Sequence, residues 1–348
     1  MIGYYKENIQ LYFILIFWLI LGAYANVMAY AIIALFITVM LKKGLYQELF
    51  FSYVFILVFS DSLEERFFFA KNAKNIFAIL MGLHFFFNMN EFAPINKLHR
   101  IFLPFFLFSV VTLCNSVGDP FFFTSLQKTI SYFLSFLIVP CYVEKLYREN
   151  GTYFLRNFVL FCCTFLWLGF MLKFTFPTIA YLEGGRYRGI MGNPNGIGMF
   201  CVLFFIAVFL INDFFPELFS KSEKRILYGT IFLSVILANS RNAMLALILF
   251  YIYQYVYKRS LFMGFIIFII SVILAQLLSD NMIQVIESIG LNDFFRIATL
   301  SDASGRVVAW HFAWEQIQKN FFVGKGFAYN EFYMRQHYGK LAELGHQG

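Results

Sequence analysis

The sequence is poor in charge. Only 14% of its 348 residues are Asp, Glu, Lys or Arg, while 60% are hydrophobic. Soluble globular proteins carry about 25% charged residues, so this composition excludes an ordinary soluble domain and indicates a membrane protein. The net charge of +7 would suit a nucleic-acid partner, but an excess of basic residues on cytoplasmic loops explains it equally well, and we expect no nucleic acid.

Cysteine is scarce and shows no functional arrangement. None of the five cysteines has metal-ligand spacing, and the adjacent Cys162 and Cys163 are poorly placed for a disulfide with each other. All five lie in apolar segments and are predicted to be small buried hydrophobic side chains: Cys114, Cys141, Cys162, Cys163 and Cys201.

Several catalytic motifs are missing as well. The sequence has no Walker loop, no HExxH, no GxSxG and no internal repeat. The sparse acidic residues on the predicted outward side form no DxD pair, so a nucleotide sugar held by a metal is poorly supported. We expect neither a metal nor a cofactor.

Apolar segments recur along most of the chain and predict an all-α fold, a polytopic membrane helical bundle with about 10 or 11 spans. Several segments are shorter than the roughly 20 residues of a straight span, which favours some broken or re-entrant helices. The first two could also form one long helix. The candidate spans are 9–23, 25–41, 46–60, 75–88, 101–117, 124–144, 153–176, 190–212, 226–239, 241–257 and 261–278.

The distribution of basic residues predicts the orientation. With a cytoplasmic N-terminus, the cytoplasmic segments hold 13 Lys and Arg and the short outward loops hold six. This agrees with the positive-inside rule. Arg186, Arg188 and Arg241 then lie on the outward side, where the rule does not account for them.

Two of these arginines lie in the stretch GGRYRGIMGNPNGIG, residues 184–198. Pro194, between Asn193 and Asn195, favours a helix start at which Asn193 is the cap and Pro194 the first residue. Backbone N–H groups there, together with Arg186 and Arg188, would form an anion cradle. The alternative is that both arginines reach lipid phosphates beside an ordinary loop.

The third arginine, Arg241, lies in LANSRNAML between two short apolar segments. A charge near membrane depth is costly unless it faces a cavity or a partner, although an interfacial anchor at a tight hairpin is an equal alternative. Guanidinium groups converging on one side would bind phosphate or pyrophosphate bidentately, which lysine would not do.

After residue 278 the sequence becomes mixed in polarity. We predict a transmembrane helical domain over 1–278 and an outward-facing loop over 279–348, with an amphipathic helix at 304–317 capped by Ser304. The apolar face of this helix comprises residues 307, 310, 314 and 317. The loop also contains Arg306 in SGRVVAW, the glycines of GKGF, and His346 in GHQG.

In their order along the chain, GGRYRGIMGNPNGIG, NSRNAMLAL, SGRVVAW, GKGF and a loop histidine resemble the O-antigen ligase/polymerase superfamily, membrane glycosyltransferases of the GT-C type. The resemblance covers roughly residues 150–348. It differs at Asn320-Phe321, where the family commonly has Asn-Pro, and at Gln347, where it usually has Asn after the histidine. The further C-terminal spans that the family leads us to expect do not follow His346.

The resemblance implies a donor glycan on undecaprenyl pyrophosphate, presented at the periplasmic or outer leaflet of the bacterial cytoplasmic membrane. The acceptor would be another glycan, lipid A-core or a protein hydroxyl. Carried over residue by residue, it implies Arg186 or Arg188 and Arg241 as pyrophosphate ligands and His346 as the catalytic base. Asn193, Asn195 and Arg306 would support them.

We therefore predict a polymerase of O-antigen, capsule or exopolysaccharide repeats, or an O-antigen ligase, with the polymerase preferred because that group is more diverse in sequence. The reaction would be metal-independent and inverting. The alternative is a polysaccharide flippase, but the expected repeats and mid-bilayer charges of a transporter are missing. A structural scaffold would not explain the ordered arginines.

Overall fold

A computed structural model describes residues 1–62, 64–92, 99–182, 185–271, 273, 306–322 and 324–337 of the chain. This part is helical apart from one small hairpin, which confirms the all-α prediction. The helices are α1 (Ile2–Glu7), α2 (Ile9–Tyr24), α3 (Asn26–Lys42), α4 (Tyr46–Ser60), α5 (Phe69–Phe87), α6 (His99–Cys114), α7 (Phe122–Thr175), α8 (Pro177–Ala180), α9 (Pro194–Phe214), α10 (Lys221–Ala238), α11 (Arg241–Tyr257), α12 (Leu261–Ser271), α13 (Arg306–Lys319) and α14 (Tyr329–Gln336).

Two short 3₁₀ turns and two strands complete these elements. The turns are Glu65–Phe67 and Met89–Glu91. Strands β1 (Tyr181–Leu182) and β2 (Arg186–Tyr187) pair antiparallel, with Tyr181 opposite Tyr187 and Leu182 opposite Arg186.

The possibility that the first two apolar segments form one helix is wrong. The chain leaves the helical conformation at Ala25, and the Trp18 indole N–H donates to the Ala29 carbonyl at 3.0 Å. Residues 11 apart on a continuous helix are separated by about 16 Å along the axis, so this bond requires α3 to fold back against α2.

Helix α7 contains a sharp break at Gly151, whose φ of 54° and ψ of −137° are not helical. A left-handed φ is strained for a residue with a side chain, and glycine adopts it readily. The turn predicted between the sixth and seventh spans is therefore reduced to one residue, with helix on both sides.

Two helices are long and apolar enough to cross a membrane within the part of the chain that the structure describes, α7 and α9. The 21 residues of α9 extend about 32 Å, close to the roughly 30 Å of a bilayer core. Helices α2, α3, α4 and α12 and residues 102–114 of α6 are apolar but shorter. The bundle of 10 or 11 spans stays a prediction.

The chain divides into two compact units. The first comprises Met1–Pro94 with Leu137–Tyr251, and the second Ile95–Phe136 with Ile252–Gly348. Aromatic side chains of α4 and α7 form much of the first unit's core, where the rings of Phe51 and Phe161 stack with centroids 4.6 Å apart. The domain boundary at residue 278 stays a prediction.

The second unit contains the amphipathic helix that the sequence predicts. It runs over Arg306–Lys319, and the described members of its apolar face, Trp310, Trp314 and Ile317, are exposed. Ser304 lies outside the described residues. One prediction about cysteine is wrong: Cys114 is exposed at the end of α6, whereas the other four cysteines are buried.

Candidate functional site

The β1–β2 hairpin positions the first two arginines. Gly185 and Gly189 adopt positive φ angles of 75° and 60°, which glycine allows and which let the chain reverse over so few residues. The backbone N–H groups of Arg188 and Gly189 both donate to the Ala180 carbonyl, at 2.8 and 3.1 Å. Both donors follow β2 directly, so these bonds tie the end of the hairpin to the last residue of α8.

Arg188 faces inward. It is only 8% exposed, and its Nε donates to the Ile179 carbonyl at 2.9 Å. Because the Arg188 side chain is buried, its guanidinium needs such a partner, and the bond ties it to the residues just before the hairpin. Of the two arginines in GGRYRG, Arg188 is the one held by its own loop.

Arg186 is half-buried and reaches another element. Its Nη2 donates to the Asn239 carbonyl in a long hydrogen bond of 3.5 Å. Asn239 follows α10 with a left-handed φ of 47°, and α11 begins two residues later at Arg241. The structure thus brings Arg186 to the α10–α11 corner, residues 239–241, which carries the third predicted arginine.

The predicted helix start after the hairpin is confirmed. Asn193 caps α9 through Oδ1, which accepts from the Gly196 N–H at 2.8 Å, and Pro194 is the first helical residue. The cap occupies the Gly196 donor, and proline has no N–H. Few backbone N–H groups therefore remain available to an anion at this helix start. Asn193 and Asn195 are both exposed.

Helix α9 packs tightly against the α10–α11 corner at Gly198. A Cβ at this position would lie 2.6 Å from Ser240 Oγ and 3.0 Å from Ala243 Cβ. Such distances leave no room for a side chain, so the last glycine of GNPNGIG allows the helix start and the corner to meet. The hairpin, α9 and the corner therefore lie together in the first unit, and this region is called the arginine site below.

The structure adds a carboxylate that the sequence analysis missed. Asp61 follows α4 and packs against the loop before α9, where a Cβ on Gly192 would lie 2.3 Å from the Asp61 carbonyl oxygen and 3.3 Å from Oδ2. A Cβ on Gly196 would lie 3.8 Å from the same Oδ2. Nothing in the sequence around Asp61 indicated that it would lie beside α9.

The two ends of α10 differ in chemistry. Asn239 and the arginine site lie at its C-terminal end, while its first turn is held by a capping box between Ser220 and Glu223. Glu223 also accepts from Arg156 Nη2 at 2.8 Å. Burial alone would raise the pKa of Glu223, but the Met1 ammonium, the Ser220 N–H and Arg156 outweigh it and lower the pKa to about 2. The 18 residues of α10 separate this cluster from the site by about 27 Å.

Two predicted residues cannot be placed. The Arg306 side chain and His346 lie outside the described residues, although Arg306 is the first residue of α13. The GKGF glycines are described: Gly324 and Gly326 have φ angles of 67° and 91°. A Cβ on Gly326 would lie 3.0 Å from the Thr112 carbonyl, so this turn docks closely onto α6.

Comparison with known proteins supplies a family. Residues 226–346 match the family model described as Wzy_C, O-Antigen ligase. The match includes α10 from residue 226 onward, the α10–α11 corner with Arg241, and α13, and it stops at His346. Arg186, Arg188, Asn193 and Asn195 precede it, so their assignment depends on geometry.

No curated protein and no solved structure matches the chain. The family match indicates an enzyme of the glycosyltransferase kind that acts on a lipid-linked glycan and an acceptor. It also agrees with the two membrane-length helices in indicating a membrane protein. The resemblance to the O-antigen ligase/polymerase superfamily noted in the sequence is thus confirmed for residues 226–346, which are similar to the O-Antigen ligase family model.

Proposed function

We propose that this protein transfers or polymerises oligosaccharide repeat units from an undecaprenyl-pyrophosphate donor at the outer face of the bacterial cytoplasmic membrane, which it crosses several times. The acceptor is a glycan, lipid A-core or a protein hydroxyl. The observation that carries the proposal is the hydrogen bond from Arg186 to Asn239, because it joins the hairpin arginine to the corner that holds Arg241.

The arginines suit the leaving group. When the anomeric C–O bond to pyrophosphate breaks, the electron pair stays on the phosphate oxygen and its negative charge grows. Arginine is always protonated and presents a planar fork of N–H donors that matches phosphate oxygens. Fixed cations directed at developing charge lower the barrier, so Arg186 and Arg241 would stabilise the departing pyrophosphate without a metal.

The acceptor hydroxyl forms the new C–O bond and must lose its proton. Histidine is suited to this role at neutral pH, and His346 is the candidate base. Attack from the side opposite the pyrophosphate is a direct displacement and would invert the anomeric centre. The Asp61 carboxylate, beside the first turn of α9, is a further acidic group close to the proposed site.

The exposed apolar face of α13 supports an outward loop that lies at the membrane surface. Trp310 and Trp314 are 65% and 52% exposed. Tryptophan is enriched at the interface between lipid and water, where its ring is buried and its N–H stays hydrated. This position would keep the loop near a donor whose pyrophosphate lies at the same depth.

A transfer assay tests the function. The purified protein is reconstituted in vesicles with the lipid-linked repeat unit, an acceptor and EDTA, and both the new glycosidic linkage and released undecaprenyl pyrophosphate are measured. The proposal predicts equal amounts of the two products from wild type. Movement of the lipid-linked glycan across the bilayer without either product would contradict it and favour the flippase.

A further inference from the structure

A cleft lies between α13 and α14 in the second unit, and all of its lining residues come from that unit. Its volume is about 400 Å³. Small-ligand sites commonly enclose about 300–1,000 Å³, so the cleft is large enough for a small ligand. Its polar and aromatic lining includes Gln316, Asn320, Lys325, Tyr329, Asn330 and Tyr333.

The Gln316 amide has an unused hydrogen-bonding atom in this cleft. Its Oε1 accepts from the Tyr329 hydroxyl at 3.0 Å, whereas its buried Nε2 has no hydrogen-bond partner within the described part of the chain. If the amide were rotated by 180°, Nε2 would meet the hydroxyl and Oε1 would be left instead. Either orientation leaves one buried polar atom of the amide without a hydrogen-bond partner, and buried polar atoms in proteins are normally paired.

Aromatic rings form one wall of the cleft. Tyr329 and Tyr333 are one helical turn apart on α14 and stack with centroids 5.4 Å apart. Phe121 packs against Tyr329 at 5.7 Å. Burial raises the pKa of the Tyr329 phenol, so this hydroxyl stays protonated and can donate to Gln316.

The GKGF turn places a cation at the same cleft. Gly326 fits closely against the Thr112 carbonyl, and the Ala328 N–H donates to Ser125 Oγ at 3.3 Å. These contacts fix the turn on α6 and α7, and Lys325, between the two glycines, lines the cleft. The cleft wall is therefore held by packing that does not require a ligand.

We propose that this cleft binds one sugar residue of the glycan substrate, an inference that rests on the proposed function. A pyranose ring has an apolar C–H face that matches a tyrosine ring. Its hydroxyl or acetamido oxygens match the Gln316 amide and the Lys325 ammonium. A lipid chain would satisfy the aromatic wall but would leave the buried amide atom without a partner.

Binding of glycan without its pyrophosphate tests the proposal. The probe is the oligosaccharide released by mild acid from the lipid-linked pool of the host cell, titrated by saturation-transfer NMR against the full chain in nanodiscs. Gln316→Ala and Lys325→Met are each expected to weaken binding about fivefold, the effect of one lost hydrogen bond. Gln318→Ala, on the exposed side of the same helix, should bind as wild type does.

The outcomes separate this proposal from the function itself. If Gln316→Ala and Lys325→Met both bind the oligosaccharide with wild-type affinity, the proposal that the cleft binds a sugar is wrong. It is also wrong if the wild-type protein catalyses transfer but does not bind the free oligosaccharide. A third outcome is that both substitutions weaken oligosaccharide binding but the wild-type protein makes no glycosidic bond. That result would support the sugar site in the cleft and contradict the proposed transferase function. If Gln316→Ala does not fold, Lys325→Met decides the question, because the Lys325 side chain is only partly buried.

Discussion

The Arg186 guanidinium donates to the backbone carbonyl of Asn239, at 3.5 Å, across the gap between the hairpin and the α10–α11 corner. Arg188, two residues later, instead donates to Ile179 within its own loop. Two arginines of one short motif therefore have different surroundings. Only Arg186 reaches the corner that carries Arg241.

This difference predicts opposite consequences of substitution. Arg186→Lys keeps the charge but loses the planar fork, so we expect a stable protein with transfer reduced about 10- to 100-fold. Arg188→Ala removes the hydrogen bond between the buried guanidinium and the Ile179 carbonyl and should cost about 1–3 kcal/mol of stability. Transfer rates and thermal unfolding of both variants check this. An Arg188→Ala protein with wild-type stability and no transfer would make Arg188 the pyrophosphate ligand instead.

The close contact at Gly198 predicts a steric effect. In Gly198→Ala the new methyl group would meet Ser240 and Ala243, so helix and corner must separate, at a cost of about 1–3 kcal/mol and with loss of transfer. Gly229→Ala is the matched control, because a Cβ there meets nothing within 4 Å and alanine favours the helix. The unfolding temperature should fall for Gly198→Ala and rise slightly for Gly229→Ala. Equal shifts would refute the close packing.

The Glu223 cluster predicts a dependence of stability on pH. The folded pKa of Glu223 is lowered from 4.5 to about 2, so its ion pairs stabilise the protein fully above about pH 4.5. This contribution is lost as the pH falls from there towards 2. The unfolding temperature in detergent should fall over this interval, and Glu223→Gln should be less stable at neutral pH with a flatter profile. Substitution of the exposed Glu217 by Gln should leave the profile unchanged, and a Glu223→Gln profile identical to wild type would disprove the link.

The GKGF turn allows strain and packing to be separated. Gly324→Ala introduces a side chain at a positive φ in open space, which should cost about 1–2 kcal/mol. Gly326→Ala also places a side chain at a positive φ, and it brings the Cβ to 3.0 Å from the Thr112 carbonyl, so we expect a larger loss. The rate of limited proteolysis between α13 and α14 measures this loss and should be higher for Gly326→Ala than for Gly324→Ala. Equal protection of the two variants would rule out docking through Gly326.

Local sequence signals predicted part of this structure well. Asn193 and Pro194 form the cap and first turn of α9 because capping depends on neighbouring residues alone. The one-residue break at Gly151 and the hairpin at Gly185 were not predicted, although both use a glycine at positive φ. Most helices coincide with the predicted apolar segments to within a few residues.

Contacts between distant segments could not be predicted in this way. The separate roles of Arg186 and Arg188 depend on which carbonyl each side chain reaches, and this follows from the hairpin's register against Ile179 and Asn239. Asp61 lies beside α9 only because α4 ends there. One amphipathic pattern predicted α13 but did not show that its apolar face is exposed.

The central claim is that Arg186 and Arg241 together hold the leaving pyrophosphate. Its most direct test is the rate of transfer from the lipid-linked donor by Arg186→Ala and Arg241→Ala, with Arg225→Ala as an exposed arginine control near the other end of α10. We predict that each of the first two loses about 100- to 1,000-fold in rate while remaining folded, and that Arg225→Ala keeps the wild-type rate. Wild-type transfer by folded Arg186→Ala and Arg241→Ala would contradict the claim.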